Sequence, residues 1–217
     1  MNVLVVVFAK DPVPGRVKTR LGASIGDALA AELYSGIVAD LLEELMQQRG
    51  AWDIEIHADR QSIFFEPFGC PVIPQQGADL GEKLHHSLSR GLAKGASVVA
   101  IVGSDAPALR ADWLQKLIGL TVDVGFGPTD DGGFWGIAAR KTHPAMFEGV
   151  RWSTESALQD TVDAVRRAGL TVGTGPQGWD LDDAADLSRL QSEACAGRRT
   201  AAILARHTAH PEAGAIR

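Results

Sequence analysis

Short runs of β-branched residues alternate with segments of helical spacing along most of this chain, and that alternation restricts the fold more than any other feature. Residues 3–8 form a continuous apolar run, which is typical of a strand covered on both faces. From Asp27 onward, apolar residues recur three and four positions apart, which predicts an amphipathic helix that ends near Gly50. Strands that alternate with helices predict an α/β domain whose mainly parallel sheet is flanked by helices.

The remaining elements follow from the same reasoning. Strands are predicted at 52–58, 72–73, 98–102, 122–126, 134–139 and 170–172. Helices are predicted at 80–92, 113–118, 155–168, 184–191 and 200–205. The segment 10–22 holds two prolines and two glycines, so we expect it to be irregular. We expect one domain over residues 1–206, followed by a frayed, disordered tail over 207–217 that has few large apolar side chains.

Composition excludes several classes of function. The net charge of -6 argues against binding to nucleic acid phosphates, for which a basic excess is typical. The two cysteines, Cys70 and Cys195, form no CxxC pair, so a cysteine zinc site or a redox motif has no support. The apolar N-terminal run is too short to span a bilayer and lacks the features of a signal peptide. We therefore expect a cytoplasmic protein without a membrane span; a homodimer is left open.

A basic segment follows the first predicted strand. It lies in a proline-stiffened loop and contains Lys10, Arg16, Lys18 and Arg20. Arginine forks and lysine point charges together suit a di- or triphosphate, so the loop is a candidate phosphate clamp. Its spacing is not that of a GxxxxGK[ST] phosphate-binding loop. The alternative is a solvated basic loop with no ligand.

Aspartates follow later elements in positions that suit a metal. Asp105 comes directly after the strand at 98–102 in a Gly/Pro loop, where Mg²⁺ could bind it together with phosphate oxygens. Asp182 could reach the same ion from the segment 179–187. Both residues have an ordinary alternative, since aspartate often caps a turn or the start of a helix.

A third acidic segment precedes the strand at 134–139. Asp130 and Asp131 are followed by Gly132 and Gly133, and glycines allow a ligand to approach the backbone closely. The alternative is a hairpin turn, because Asp-Gly is a strong turn signal.

Together these segments resemble the bacterial glycosyltransferase-like family with the GT-A fold of nucleotide-diphospho-sugar transferases, also known as domain of unknown function 2064. The family's FAKxPxPGxVKTRL opening is matched by residues 8–21, and its GSDxPxL motif by 103–109. Its GPxxDGGYYLIG, FxGxxWST and DxDxxxDL motifs are matched at 127–138, 147–154 and 180–187. The first of these three departs from the family pattern, with Trp135-Gly136 in place of Tyr-Leu and Ala138 in place of Gly. Relatives include glycosyltransferases of arsenosugar biosynthesis, and the opening is also similar to that of phospholactate guanylyltransferases.

The resemblance implies a transferase that joins part of a nucleotide sugar to a small-molecule acceptor with the help of Mg²⁺ or Mn²⁺. Asp105 and Asp182 would hold the metal, Lys18 and Arg20 would stabilise the leaving group, and Asp131 would activate the acceptor. The nucleotide would contact a larger set, namely Lys10, Gly15, Arg16, Lys18, Arg20, Ser104, Gly132 and Gly133. The alternative is a nucleotidyltransferase that joins a nucleoside triphosphate to an acceptor and releases pyrophosphate.

Overall fold

The structure is a computed structural model that describes residues 2–48, 50–193 and 195–209. Its strands are β1 (Val3–Ala9), β2 (Asp53–Ala58), β3 (Val72–Pro74), β4 (Val98–Gly103), β5 (Val124–Pro128), β6 (Phe134–Ala139) and β7 (Val172–Thr174). Its helices are α1 (Thr19–Ile25), α2 (Asp27–Met46), α3 (Leu80–Ala93), α4 (Ala111–Ile118), α5 (Ala157–Arg167), α6 (Ala184–Glu193) and α7 (Arg198–Ala209). Two short 3-10 helices, Ile63–Phe68 and Pro144–Phe147, were not predicted from the sequence.

All seven strands belong to one sheet in the order β3-β2-β1-β4-β6-β5-β7. β1 pairs in parallel with both β2 and β4, and β5 pairs in parallel with β7. β6 is antiparallel to both of its neighbours, so it starts at the edge where β4 and β5 end. The predicted mainly parallel sheet with flanking helices is confirmed.

The side chains of β1 alternate between two hydrophobic cores, as the geometry of a strand requires. Val5 and Val7 face a core shared with α2 and α4, whereas Leu4 and Val6 face one shared with α3 and α5. Every residue of β1 except Phe8 is buried, which explains its continuous apolar sequence. A third cluster joins α1 and α2 to the C-terminal segments.

One prediction for the N-terminal loop is wrong, because α1 begins at Thr19 inside the segment expected to be irregular. Pro12 and Pro14 precede the helix and do not interrupt it. Gly22 does not break the helix: it is buried against α2, where an added Cβ would lie 2.4 Å from Asp27 Oδ1. Gly22 therefore serves close packing between the two helices, and its presence in the segment was misread as a helix breaker.

The last helix, α7, extends three residues beyond the predicted domain end at 206. Asp40 of α2 holds its start, since its carboxylate accepts hydrogen bonds from the backbone N–H groups of Arg199 and Thr200, both at 2.9 Å. Of the predicted tail, residues 210–217 lie outside the described residues. Among the described residues, no helix is both long and apolar enough to cross a membrane.

Candidate active site

The candidate site lies at the sheet edge where β1 and β4 end and β6 begins. Lys10 follows β1, Ser104 and Asp105 follow β4, and Phe134 opens the antiparallel β6 at the same edge. In open α/β sheets, ligands bind beyond the carboxyl ends of the strands, and the topology brings the predicted segments to that place.

A cavity of about 410 Å³ occupies this edge and is called the main cavity here. A smaller cavity of about 150 Å³, called the basic cavity, adjoins it and shares Lys10, Tyr34 and Asp105 with it. The basic cavity is also lined by Val17, Lys18, Thr19, Arg20 and Asp182. The two together form one recess with a charged end and a more apolar end, a combination that suits a nucleotide.

Lys18 links the two predicted metal ligands. Its Nζ atom lies 2.8 Å from Asp105 Oδ2 and 2.9 Å from Asp182 Oδ1, although 164 residues separate Lys18 from Asp182 in the chain. The side chain of Lys18 is only 5% exposed, whereas those of Asp105 and Asp182 are 44% and 40% exposed. The lysine is thus the buried centre of the cluster, and the two carboxylates face the recess.

The side chain of Lys18 enters the cluster from an unusual backbone conformation. Lys18 precedes α1 with φ 47° and ψ 44°, a left-handed conformation that is uncommon outside glycine. Burial lowers the pKa of the Lys18 ammonium, but the charges and hydrogen bonds of Asp105 and Asp182 more than offset that effect and raise it overall. Lys18 therefore stays charged, and the pairing accounts for its strained backbone.

Arg20 is the accessible cation of the cluster. Its side chain is 70% exposed, with Nη1 at 3.7 Å from Asp182 Oδ2 and Nη2 at 3.6 Å from Asp183 Oδ2. Loose, exposed pairs of this kind contribute little to stability, so the guanidinium can turn toward an anionic ligand at little cost.

A chain of hydrogen bonds connects residues that line the two cavities. Tyr34 Oη on α2 accepts a hydrogen bond from the backbone N–H of Lys10 at 2.9 Å and is 2.8 Å from Ser104 Oγ. Ser104 Oγ also donates to Asp105 Oδ1 at 3.4 Å. Burial raises the pKa of Tyr34, which therefore remains a neutral phenol. Ser104 positions Asp105 and Tyr34 from a buried place, and Tyr34 was not among the predicted site residues.

Asp180 is the second functional candidate that the sequence did not single out. It lines the main cavity together with Asp105. Burial raises its pKa to about 7, and the charges of Asp105, Asp131 and Asp182 add to this effect, against the opposing charge of Lys18. The sequence signal that could have identified Asp180 is its place in the DxDxxxDL motif, two residues before Asp182. The recess therefore contains three aspartates, not two.

The carboxylates of the recess can be compared with the ligands of the divalent metal that the resemblance implies. Carboxylate oxygens are the ligands that Mg²⁺ and Mn²⁺ prefer, and Mg²⁺ commonly uses one or two of them plus phosphate oxygens. Asp105 Oδ1 and Asp182 Oδ2 fit this role, since their nearest recorded side-chain partners are at 3.4 Å and 3.7 Å. Over residues 2–48, 50–193 and 195–209, no group of three or more acidic, histidine or cysteine residues is arranged as a metal site. The residues thus fit a metal that arrives with phosphate.

Asp131, Gly132 and Gly133 lie in the hairpin between β5 and β6, as the turn alternative predicted. Asp131 Oδ1 accepts hydrogen bonds from Thr129 Oγ1 at 2.5 Å and from the backbone N–H of Gly133 at 3.0 Å. None of these three residues lines the main cavity or the basic cavity. Asp131 is nevertheless close enough for its charge to raise the pKa of Asp180. Its role in chemistry remains a hypothesis.

Gly132 supports the loop that leads into α5. Its φ is +85°, and an added Cβ would lie 2.0 Å from the carbonyl oxygen of Glu155. The Gly132 carbonyl accepts a hydrogen bond from the backbone N–H of Leu158 at 2.9 Å. The close approach to the Gly132 backbone, which was predicted for a ligand, is therefore made by the backbone of Glu155.

We expect Gly132→Ala to destabilise the protein by more than about 1 kcal/mol, because the new methyl group meets both an unfavourable φ and a backbone atom. Urea unfolding measures the difference. Gly149→Ala is the matched control, since Gly149 has a φ of +75° and no atom within 4 Å of an added Cβ. Equal losses in the two variants would show that the contact with Glu155 contributes nothing.

The structure brings six of the predicted site residues together; besides the hairpin residues Asp131, Gly132 and Gly133, two more lie apart from the recess. Lys10, Lys18, Arg20, Ser104, Asp105 and Asp182 all line or contact the recess. Gly15 and Arg16 lie in an exposed turn, where Gly15 has a φ of +73° and the Arg16 backbone N–H donates to Val13 at 3.0 Å. Neither is among the residues that line the two cavities, so a contact with nucleotide stays a prediction for both.

The chain has an α/β fold of the GT-A kind, which nucleotide-sugar transferases and nucleotidyltransferases share. Residues 44–154 match the family described as uncharacterized proteins conserved in bacteria, DUF2064, and the chain belongs to this family. A protein of Desulfovibrio desulfuricans G20, assigned as a nucleotide-diphospho-sugar transferase, is 31% identical over 96% of both chains, with a TM-score of 0.85.

More distant structures share the fold. A cytidylyltransferase of Leptospira borgpetersenii serovar Hardjo-bovis is 13% identical and covers 100% of this chain and 99% of its own, with a TM-score of 0.58. The inositol-1-phosphate CTP transferase of T. maritima is 14% identical over 98% of both chains, with a TM-score of 0.54. No curated protein matches the sequence significantly.

Proposed function

We propose that this protein is a metal-dependent transferase of a nucleotide-activated substrate, with a nucleotide-diphospho-sugar as its donor. The observation that carries the proposal is the cluster in which buried Lys18 bridges Asp105 and Asp182 at the charged end of the recess. Lys10 and Arg20 add two more cations at the same place. The similarity to a protein assigned as a nucleotide-diphospho-sugar transferase supports the choice of donor.

In this reaction the bond between the sugar's anomeric carbon and the phosphate oxygen breaks, and the acceptor hydroxyl oxygen forms the new bond. The electron pair of the broken bond stays on the departing nucleoside diphosphate. Lys18 stabilises that developing charge from its buried position, and Arg20 turns toward it from its exposed one. Asp131 is the candidate that accepts or orients the acceptor's proton. When bound by Asp105 and Asp182, a divalent cation supplies further neutralisation of the diphosphate.

The cations of the basic cavity favour a second candidate, a nucleotidyltransferase. Lys10, Lys18 and Arg20 line a single space of about 150 Å³, and a triphosphate needs more positive charge than a diphosphate. In that reaction an acceptor oxygen attacks the α-phosphorus and pyrophosphate leaves.

Ligand binding tests both candidates before an acceptor is known. A ligand at a hundred times its Kd stabilises a protein by about 2.7 kcal/mol, so binding should raise the thermal midpoint. We expect nucleotide sugars or nucleoside triphosphates to have this effect only with Mg²⁺ or Mn²⁺. Tighter binding of nucleotide sugars supports glycosyl transfer, and tighter binding of triphosphates supports nucleotidyl transfer. If no nucleotide changes the midpoint with either metal, the proposed function is wrong.

Lys18→Ala and Arg20→Ala should each weaken triphosphate binding more than monophosphate binding. Each loss should be about 1.5–3 kcal/mol if the side chain makes a charged hydrogen bond to the outer phosphates. Calorimetry with mono-, di- and triphosphates of one nucleoside measures the trend. Arg166→Ala on α5 serves as a control, since its side chain is 63% exposed and pairs only loosely with Asp163. Equal losses for all three ligands would place Lys18 and Arg20 away from the outer phosphates.

A further inference from the structure

The outer wall of the main cavity is built by the end of β3 and the first turns of α3. Leu80, Lys83 and Leu84 line it from the helix, and Gln75 lines it from the loop after β3. Positions i, i+3 and i+4 of a helix share one face, so the three helical side chains act as one surface. Neither Gln75 nor Lys83 has a part in the transfer chemistry described above.

Gln75 presents a hydrogen-bond acceptor to this cavity. Its Nε2 donates to the carbonyl oxygen of His57 at 2.9 Å, and its backbone N–H donates to the carbonyl of Ala58 at 2.9 Å. Because a carbonyl oxygen can only accept, the amide must point its NH₂ group at His57. The side-chain oxygen is the free end, and within the described part of the chain no hydrogen bond to it is recorded.

Lys83 presents a cationic donor on the same wall. Its two acidic neighbours are engaged elsewhere: Asp79 Oδ1 accepts from the Glu82 backbone N–H at 2.8 Å, and Glu82 Oε2 accepts from that of Ala78 at 2.7 Å. No carboxylate of the described residues forms a salt bridge with Lys83 in this structure. A cation near a helix N-terminus also opposes the helix dipole, so the position favours an external partner.

Apolar side chains also line this cavity. Phe8 on β1 lines it beside Leu84, and Leu80 is 42% exposed there. The ring of Phe8 is held in place by stacking on His57, with ring centroids 5.9 Å apart and planes 23° apart. Apolar walls with one acceptor and one donor suit a flat heteroaromatic ring that carries an N–H group beside a carbonyl oxygen.

We propose that this end of the main cavity binds the nucleobase of the donor and selects guanine or uracil through Gln75 and Lys83. Both bases place a ring N–H, which Gln75 accepts, next to a carbonyl oxygen, to which Lys83 donates. Adenine has no carbonyl group, and in cytosine the ring nitrogen beside the carbonyl carries no hydrogen. The inference rests on the proposed use of a nucleotide and adds the identity of the base.

The test compares GTP, UTP, CTP and ATP with inorganic tripolyphosphate, which has no base, by calorimetry in Mg²⁺. The wild-type protein should bind GTP or UTP more tightly than CTP and ATP. Lys83→Met should weaken the preferred nucleotide by about 10- to 100-fold, the range of a charged hydrogen bond, and leave tripolyphosphate unchanged. Lys116→Met is the control, since that lysine is 63% exposed on α4 and pairs with Asp112.

The outcomes separate this inference from the proposed function. If the wild-type protein binds neither these nucleotides nor any nucleotide sugar, the proposed function fails. If it binds them but prefers ATP or CTP, or if Lys83→Met weakens tripolyphosphate equally or weakens nothing, only the base assignment is wrong. Gln75→Met provides a second variant, in which the preference for GTP or UTP should shrink; the wild-type preference alone is decisive should either variant fail to fold.

Discussion

Asp105→Asn is expected to abolish metal-dependent nucleotide binding while the protein stays folded. Asparagine keeps the shape of the side chain but removes the negative charge that a hard cation requires. The fold should persist because the bond to the Leu181 backbone N–H, at 3.0 Å, is made by the main-chain oxygen of residue 105. We expect affinity in Mg²⁺ to fall by more than about 100-fold, above the usual loss when an outer-shell partner of a metal is removed.

Calorimetry with Mg²⁺ and with EDTA measures this effect directly. Asp112→Asn is the matched control, since Asp112 is an exposed aspartate of α4 paired with Lys116 at 2.9 Å. Unchanged affinity of Asp105→Asn in Mg²⁺ would remove Asp105 from the metal site. An unfolded variant would instead support the structural alternative, in which Asp105 holds its own turn.

The strands of this protein were predictable because each is a short β-branched or apolar run between clear breakers. β6 was predicted at its observed bounds, and β1 and β4 were predicted to within one residue. The antiparallel direction of β6 was not predicted, although Asp131 and Gly132 gave a hairpin signal. Hydrophobic periodicity reports which face of a segment is buried but not which strands become neighbours.

The sequence predicted several of the residues that line the recess but not the contacts between them. Its place directly after β4 located Asp105. Lys18 was predicted from the basic segment that follows β1, and Asp182 was assigned through the family motif. The bridge that Lys18 makes between the two aspartates could not be predicted, because it depends on a left-handed residue and on a contact across 164 positions. Asp180 was missed for a related reason: only the packed structure shows which acid of a motif lines the cavity.

Asp131 is both a turn residue and the candidate base, and the two roles predict different effects of substitution. Both recorded hydrogen bonds of its side chain, from Thr129 and Gly133, are accepted by Oδ1. An asparagine oxygen can accept the same two bonds, so Asp131→Asn should keep the hairpin, whereas Asp131→Ala removes its support. If Asp131 is the base for the acceptor hydroxyl, both variants should lose about 10²–10⁴-fold in turnover, the usual contribution of a positioned base.

Nucleotide affinity should change little in either variant, because a base acts on the transition state and not on the bound donor. Steady-state kinetics with the donor found by ligand screening would measure turnover, and urea unfolding would measure stability. Asp130→Asn is the neighbouring control, since Asp130 pairs with Arg189 at 2.5 Å on α6 and away from the recess. A stable but inactive Asp131→Asn variant supports chemistry. A fully active one would mean that Asp131 only shapes the hairpin, and would leave Asp105 and Asp180 as the carboxylates that line the main cavity.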